Sequence, residues 1–194
     1  MFGKQGEKDK EKLVQIMQAL ARNYPSIAKT YFKRIAFLLP SVPALMQAKL
    51  FDVFVSIDIV EFVDELIYMD HPKIFQQGDP SSQKSQMQLL VKVYRLKAAK
   101  RLIDIAVKIS PQVRDNRDES VRVEFYRLLC QMNQGVDNQA AREVLIMGLG
   151  DQGQSVRDLI MDFLIKEMPA ATSEKLLHAI RFAFPSLFAY NLRS

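Results

Sequence analysis

The feature of this sequence that most constrains its fold is a pattern that recurs every 35 residues. Similar segments begin at Ser85, Ser120 and Ser155, which are 35 residues apart, and each follows a polar turn that contains an aspartate. After each serine, apolar residues recur at intervals of three and four, which is typical of one buried helix face. Such a period, with one amphipathic helix per repeat and another between repeats, indicates an α-solenoid. The alternative is an irregular helical bundle with a chance repeat.

Proline and glycine divide the rest of the chain into amphipathic segments of helical length, and no segment alternates apolar and polar residues as a strand would. We therefore predict an all-α fold, an α-solenoid of HEAT-like helical hairpins that is a fragment of a larger superhelix. The predicted organisation is a charged lead-in at 1–11, helical hairpins at 12–69, an inter-repeat loop at 70–81, repeats of period 35 at 82–184, and the start of a further repeat at 185–194. Within the repeats we predict helices at 82–94, 97–109, 119–132, 139–147, 155–167 and 173–184.

Composition narrows the functional classes. The chain has 194 residues and is 48% hydrophobic, which is sufficient for a packed core. Cys130 is the single cysteine, so we expect no internal disulfide and a reducing intracellular compartment. His71 and His178 are far apart in sequence, so we expect no metal site. No run of about 20 apolar residues is present, so no membrane crossing is expected.

Positive charge is concentrated in one part of the chain. Residues 92–127 hold ten basic and five acidic residues, so their net charge of +5 equals that of the whole chain. Charge on the turns and helix edges of a solenoid can follow a phosphate backbone without reading bases. The alternative is a solvated face with local ion pairs such as Arg101–Asp104. The candidate contacts to DNA or to a protein partner are Arg95, Lys97, Lys100, Arg101, Arg114, Arg117 and Arg122.

Residues 148–153 match the pattern G-x-G-x-x-G, follow four apolar residues and precede a helix. In a dinucleotide-binding turn, these glycines let the backbone approach a pyrophosphate at a helix N-terminus. However, the apolar run extends backwards from Val144 with helical spacing, and no second strand with a ribose-binding acid follows about 20 residues later. We therefore predict an inter-helix turn and no cofactor, with a dinucleotide-binding enzyme that uses Gly148 to Gly153 as the weaker alternative.

Two Ser-Gln pairs, at Ser82 and Ser85, are candidate phosphorylation sites beside the predicted loop. The interpretation that we favour is that they cap the helix they precede. The sequence shows no nucleophile elbow and no nucleophile partner for either histidine, so we expect neither a catalytic site nor a small-molecule substrate in this chain.

Two blocks of the sequence resemble the middle helical-repeat region of the phosphatidylinositol 3-kinase-related kinases, in particular the DNA-dependent kinases of that family. The similarity covers about 12–178 and consists of apolar and proline positions. The first block, 13–40, contains Tyr24-Pro25-Ser26 and Ala36-Phe-Leu-Leu-Pro40; the second contains 142–146, Gly148-Leu149, Asp151 and the helix to Leu164.

This resemblance implies a nuclear scaffold that supports double-strand break repair by non-homologous end joining. The implied partners are double-stranded DNA ends, the Ku heterodimer and neighbouring helical repeats, which form a ring-shaped cradle in that family. The family's serine/threonine kinase chemistry lies in a separate C-terminal domain, and none of its motifs occurs in this sequence: no Gly-rich ATP loop, no catalytic Asp loop and no Asp-Phe-Gly. The resemblance also implies an apolar residue at Gly150, which would make the glycine pattern incidental.

Overall fold

The computed structural model describes residues 12, 15–17, 19–20, 22–39, 42–134 and 138–167. In this part of the chain every regular element is a helix, which confirms the all-α prediction. The predicted lead-in, the 173–184 helix and the further repeat at 185–194 lie outside the described residues. The helices are α1 Pro25–Leu38, α2 Ala44–Ser56, α3 Val63–Tyr68, α4 His71–Gln77, α5 Pro80–Leu96, α6 Lys100–Arg114, α7 Glu119–Asn133, α8 Gln139–Met147 and α9 Gln154–Glu167, with 3₁₀ turns at Val60–Phe62 and Gly148–Gly150.

The helices form the two layers of a helical-repeat fold. Helices α2, α5, α7 and α9 pack side by side in sequence order and form the first layer. Helices α4, α6 and α8 pack in the same order and form the second layer, which covers one side of the first. Because each repeat buries its apolar face against the next repeat, one continuous core extends from Met17 to Leu164.

Polar contacts between successive repeats have the period that the sequence shows. The Ser82 hydroxyl donates to Gln47 Oε1 at 3.3 Å, and the two residues are 35 apart. The Ser155 N–H donates to Glu119 Oε1 at 3.0 Å, across a separation of 36 residues. The period of the sequence is therefore the distance along the chain between residues that contact each other in successive repeats. The alternative of a chance pattern does not explain these contacts.

The loop predicted at 70–81 contains helix α4, so that prediction is wrong. Asp70 caps this helix, because its side chain accepts a hydrogen bond from the Lys73 N–H at 3.3 Å. Pro72 and Pro80 had indicated a break, but both lie in the first turn of a helix. A proline is tolerated there because the N–H that it lacks would have no partner within the helix.

Helix α6 also continues beyond its predicted end at Ile109, through Pro111 to Arg114. Pro111 lacks the N–H that would normally bond to the Val107 carbonyl oxygen. The Ser110 hydroxyl donates to that oxygen instead, at 2.9 Å. The lost hydrogen bond is thereby replaced, and the proline ring itself lies on the exposed side of the helix.

Candidate functional site

Six of the ten basic residues of the segment 92–127 lie on helix α6 or on the turns at its two ends, and the other four lie on α5 and α7. Lys100, Arg101 and Lys108 are exposed on one face of α6, with the exposed Asp104 between them. The opposite face carries the buried apolar residues that pack against α7 and α8. Three of the seven candidate contact residues, Lys100, Arg101 and Arg114, therefore lie on this helix of the second layer. Lys97 and Arg117 lie on the turns beside it.

Arg122 is the exception, because its side chain lies in the interior with only 2% of its surface exposed. Its Nε atom donates to both carboxylate oxygens of Asp151, at 3.1 and 3.0 Å, and its Nη1 atom donates to the Asn116 carbonyl oxygen at 2.6 Å. A buried charge requires such pairing to offset its desolvation. Arg122 is therefore an internal link between repeats, and the prediction that it contacts DNA or a partner does not fit its position.

Lys92, which adds to the charge of the same segment, is also part of the framework. Its ammonium donates to the carbonyl oxygens of Phe54 and Val55, at 3.1 and 2.7 Å, and to that of Ile57. These carbonyls belong to the end of α2, where the helix leaves oxygens without a backbone donor. Burial lowers the pKa of Lys92, and nearby Asp58 opposes that effect. Lys92 therefore caps α2 from the next repeat.

The other six candidate contact residues have exposed side chains. Lys97 forms an ion pair with Asp64 at 2.7 Å, in which both side chains are more than half exposed. Such an exposed pair is weak and does not prevent the ammonium from meeting a phosphate. Arg95 and Arg114 each donate one hydrogen bond to a neighbouring side chain, whereas Lys100 and Arg117 make none within the described part of the chain.

Arg101 lies at a cleft of about 440 Å³ between the α3–α4 corner and α6. Its Nε atom donates to the Ile67 carbonyl oxygen at 3.2 Å, and its guanidinium carbon lies 5.1 Å from the centroid of the Tyr68 ring. Arg101 thus contacts the preceding repeat, and it does not form the local pair with Asp104 that the alternative of a solvated face included. Sequence reasoning overlooked Tyr68, although a period near 35 places it opposite Arg101.

The glycine-rich turn has a packing role. A Cβ atom at Gly148 would lie 2.3 Å from Tyr126 Cε1 and 2.5 Å from Ile160 Cδ1, and one at Gly153 would lie 2.6 Å from Glu119 Oε1. The segment before the turn is helix α8, whereas a dinucleotide-binding turn requires a strand there. The structural context of the pattern is therefore that of an inter-helix turn, as predicted.

Ser82 and Ser85 are both buried within α5. The capping residue of that helix is Asp79, whose side chain accepts a hydrogen bond from the Ser82 N–H at 2.8 Å, so the prediction that the serines cap the helix is wrong. The sequence did contain the signal for this cap, because Asp79 directly precedes Pro80, and an aspartate followed by a proline is typical of a helix start. Phosphorylation of either serine would require α5 to leave its neighbours, because a kinase cannot reach a buried hydroxyl.

Three further properties bear on function. Burial raises the pKa of the Cys130 thiol to about 12, so the reactive thiolate is scarce at neutral pH. Within the described residues, no group of three or more His, Cys, Asp or Glu side chains is arranged to hold a metal ion. None of the helices described here combines the length and apolar character needed to cross a membrane.

No protein-family model, curated protein or solved structure matches this chain.

Proposed function

We propose that this chain is a helical-repeat scaffold segment of a DNA-dependent serine/threonine protein kinase, in which it supports the engagement of DNA ends and the Ku heterodimer rather than catalysis. The observation that carries the proposal is the exposed basic side chains on and around α6, fixed to a stack of repeats that contact each other in register. The family resemblance supplies the nuclear setting and the role in non-homologous end joining.

The mechanism that we propose is shape combined with charge. The stacked helices hold the cations of α6 and its flanking turns at fixed spacings. These cations neutralise phosphates of a duplex and release the counterions condensed there, without any base being read. Lys100 and Arg117 have no competing partner within the described residues, and the Lys97–Asp64 pair is weak enough to exchange. Arg122 has no part in this mechanism because it is buried.

The experiment that tests this proposal is a titration of duplex DNA with the 194-residue chain over a series of salt concentrations. The variant combines Arg95→Gln, Lys97→Gln, Lys100→Gln and Arg101→Gln. We expect a steep loss of affinity with salt for the natural chain, with a slope that falls by about 0.9 for each phosphate contact removed.

The matched control removes the same charge outside the basic segment, by Arg22→Gln, Lys73→Gln, Lys84→Gln and Lys166→Gln. If the proposal is right, this control retains most of the affinity. Equal losses in both variants would show that only net charge matters, and an absence of binding at low salt would reject a DNA contact by this segment.

A protein-binding adaptor without a DNA role is the second candidate. The observation that favours it is the cleft beside Arg101, whose charged lining residues are two basic and two acidic ones, so that it has no net attraction for a polyanion. The same titration separates the candidates, because an adaptor retains its helical circular dichroism and does not bind duplex DNA.

A further inference from the structure

We propose that the cleft between the α3–α4 corner and α6 binds an acidic side chain of a protein partner, and that Arg101 is the residue that binds its carboxylate. This inference goes beyond the scaffold function and does not depend on whether the chain contacts DNA. The cleft is lined by Tyr68, Met69, Asp70, Pro72, Arg101, Asp104, Ile105 and Lys108.

The first reason is that Arg101 is exposed and yet held in place. Its Nε atom donates to the Ile67 carbonyl oxygen, and its guanidinium plane is attracted to the Tyr68 ring, so two contacts fix the orientation of the side chain. Its two Nη atoms make no hydrogen bond in the part of the chain that the structure describes. An arginine whose two terminal nitrogens are available can bind a carboxylate through two parallel hydrogen bonds. Because the side chain is already ordered, little conformational entropy is lost on binding.

The second reason is that the cleft also has an apolar part. Met69 and Ile105 line it and are themselves buried except for 7% and 6% of their surfaces, and Pro72 lies beside them. Tyr68 is 69% exposed as a residue, so it offers a further apolar contact at the edge of the cleft. A peptide can place a carboxylate at Arg101 and the methylene groups of the same or a neighbouring side chain against this apolar part.

The third reason is the balance of charge, which favours a peptide over a nucleic acid. Arg101 and Lys108 are opposed by Asp70 and Asp104, so the charged lining residues carry no net charge. A phosphate backbone would place successive negative charges beside both aspartates, whereas a single carboxylate can approach Arg101 without doing so. Asp104 lies on α6 between the two basic residues, and it repels the nearly dianionic phosphate of a phosphoserine more than it repels a carboxylate.

The test measures the binding of three pools of fluorescent peptides to the 194-residue chain by anisotropy. In each pool, apolar residues at random surround one fixed central residue, which is glutamate, glutamine or phosphoserine. We expect the glutamate pool to bind about tenfold more tightly than the glutamine pool, because a bidentate charge-assisted pair is lost in the latter. The phosphoserine pool is expected to bind no more tightly than the glutamate pool.

Variants then assign the effect to Arg101. We expect Arg101→Gln to abolish the preference for glutamate and Arg101→Lys to reduce it, since lysine lacks the planar fork. Tyr68→Phe retains the aromatic ring and is expected to bind as the natural chain does, whereas Tyr68→Ala is expected to weaken the binding. Arg95→Gln is the matched control, because it removes an exposed arginine outside the cleft lining.

Several results would overturn the proposal. These are the absence of binding by either unphosphorylated pool, equal binding of the glutamate and glutamine pools, and a preference that survives Arg101→Gln in a chain with unchanged circular dichroism. If Arg101→Gln weakens the binding of duplex DNA and no acidic peptide binds, Arg101 contacts a nucleic acid instead of a carboxylate. Lys100→Gln distinguishes the two proposals, since we expect it to weaken DNA binding and to leave peptide binding unchanged.

Discussion

Two junctions between successive repeats bury polar side chains, and they differ in chemistry. The junction of α2, α4 and α5 contains Gln47, His71, Ser82 and Gln86, all buried and none of them a permanently charged residue; we call it the amide junction. The junction of α7 with the turn before α9 contains the buried Arg122–Asp151 pair, and we call it the ionic junction. Both connect repeats of the same fold, one with neutral side chains and the other with a charged pair.

In the amide junction, the hydrogen bonds determine where the proton of His71 lies. Its Nε2 atom is 2.6 Å from the Leu66 carbonyl oxygen, which can only accept, so Nε2 carries the hydrogen. The Gln86 amide nitrogen lies 3.1 Å from Nδ1 and 3.0 Å from the His71 carbonyl oxygen, and it donates to both. A second proton on the ring would therefore face a donor. The hydrogen bond from Gln86 to the His71 ring therefore forms only while His71 is neutral.

In the ionic junction, the Arg122 and Asp151 charges are both buried, and three hydrogen bonds of the junction end at the Asp151 carboxylate. Asp151 accepts from the Arg122 guanidinium and also from the Gly153 N–H, at 2.7 Å. The desolvation of two charges is offset only when the pairing is complete. Successive repeats can therefore stack in register through neutral or through charged side chains. We expect the amide junction to be sensitive to pH and the ionic junction to be sensitive to the loss of one partner.

The largest expected effect is at the ionic junction. Asp151→Ala leaves the Arg122 guanidinium buried without an anion, and we expect the free energy of unfolding to fall by about 3–5 kcal/mol. Urea denaturation followed by circular dichroism measures the loss. The double variant Arg122→Met with Asp151→Leu removes both charges and is expected to recover most of the stability, because an apolar pair has no desolvation penalty.

The exposed Lys166–Asp162 pair provides the control, since both side chains are 69% exposed. Asp162→Asn is expected to change the free energy of unfolding by less than about 0.5 kcal/mol. If Asp151→Ala were no more destabilising than Asp162→Asn, the ionic junction would not depend on its charges.

The next effect concerns pH at the amide junction. Burial lowers the pKa of His71 to about 4, from 6.5 for an exposed histidine; the Leu66 hydrogen bond and Asp70 oppose the shift, and Arg101 adds to it. Because the unfolded chain takes up a proton below pH 6.5 and the folded chain does not, stability is intact above that pH and falls as the pH drops towards 4. The loss is about 1.4 kcal/mol per pH unit and about 3 kcal/mol in total.

Urea denaturation at several pH values between 7 and 4 measures this dependence for the natural chain and for His71→Gln. The glutamine can still donate to the Leu66 carbonyl oxygen but does not titrate, so the difference between the two chains isolates His71 from all other groups. Parallel curves for the two chains over this pH range would mean that His71 has the same pKa in the folded state as in the unfolded chain.

The two junctions also show how far sequence reasoning reaches. The period of 35 predicted α5, α7 and α9 and the contact of each repeat with its counterpart, because apolar spacing depends only on local geometry. The role of Arg122 was not predictable in this way, since its partner Asp151 is 29 residues away and only tertiary packing brings the two together. The prolines of α4 and α6 misled for a local reason. Pro72 lies in the first turn, where its missing N–H has no partner in the helix, and at Pro111 the Ser110 hydroxyl replaces the lost hydrogen bond.

The smallest effect tests whether the charges around the ionic junction also stabilise a helix end. Glu119 in α7 accepts a hydrogen bond from the Ser155 N–H in the first turn of α9, at 3.0 Å, so one repeat caps the helix of the next. We expect Glu119→Ala to lower the free energy of unfolding by about 1 kcal/mol, as the loss of an N-terminal cap does. Asp158→Asn removes the same charge from an exposed position on α9 and is expected to have little effect. Amide hydrogen exchange is the sharper measurement, since the protection of Ser155 should fall in Glu119→Ala and persist in Asp158→Asn. Unchanged protection at Ser155 in both variants would mean that α9 does not need a cap from its neighbour.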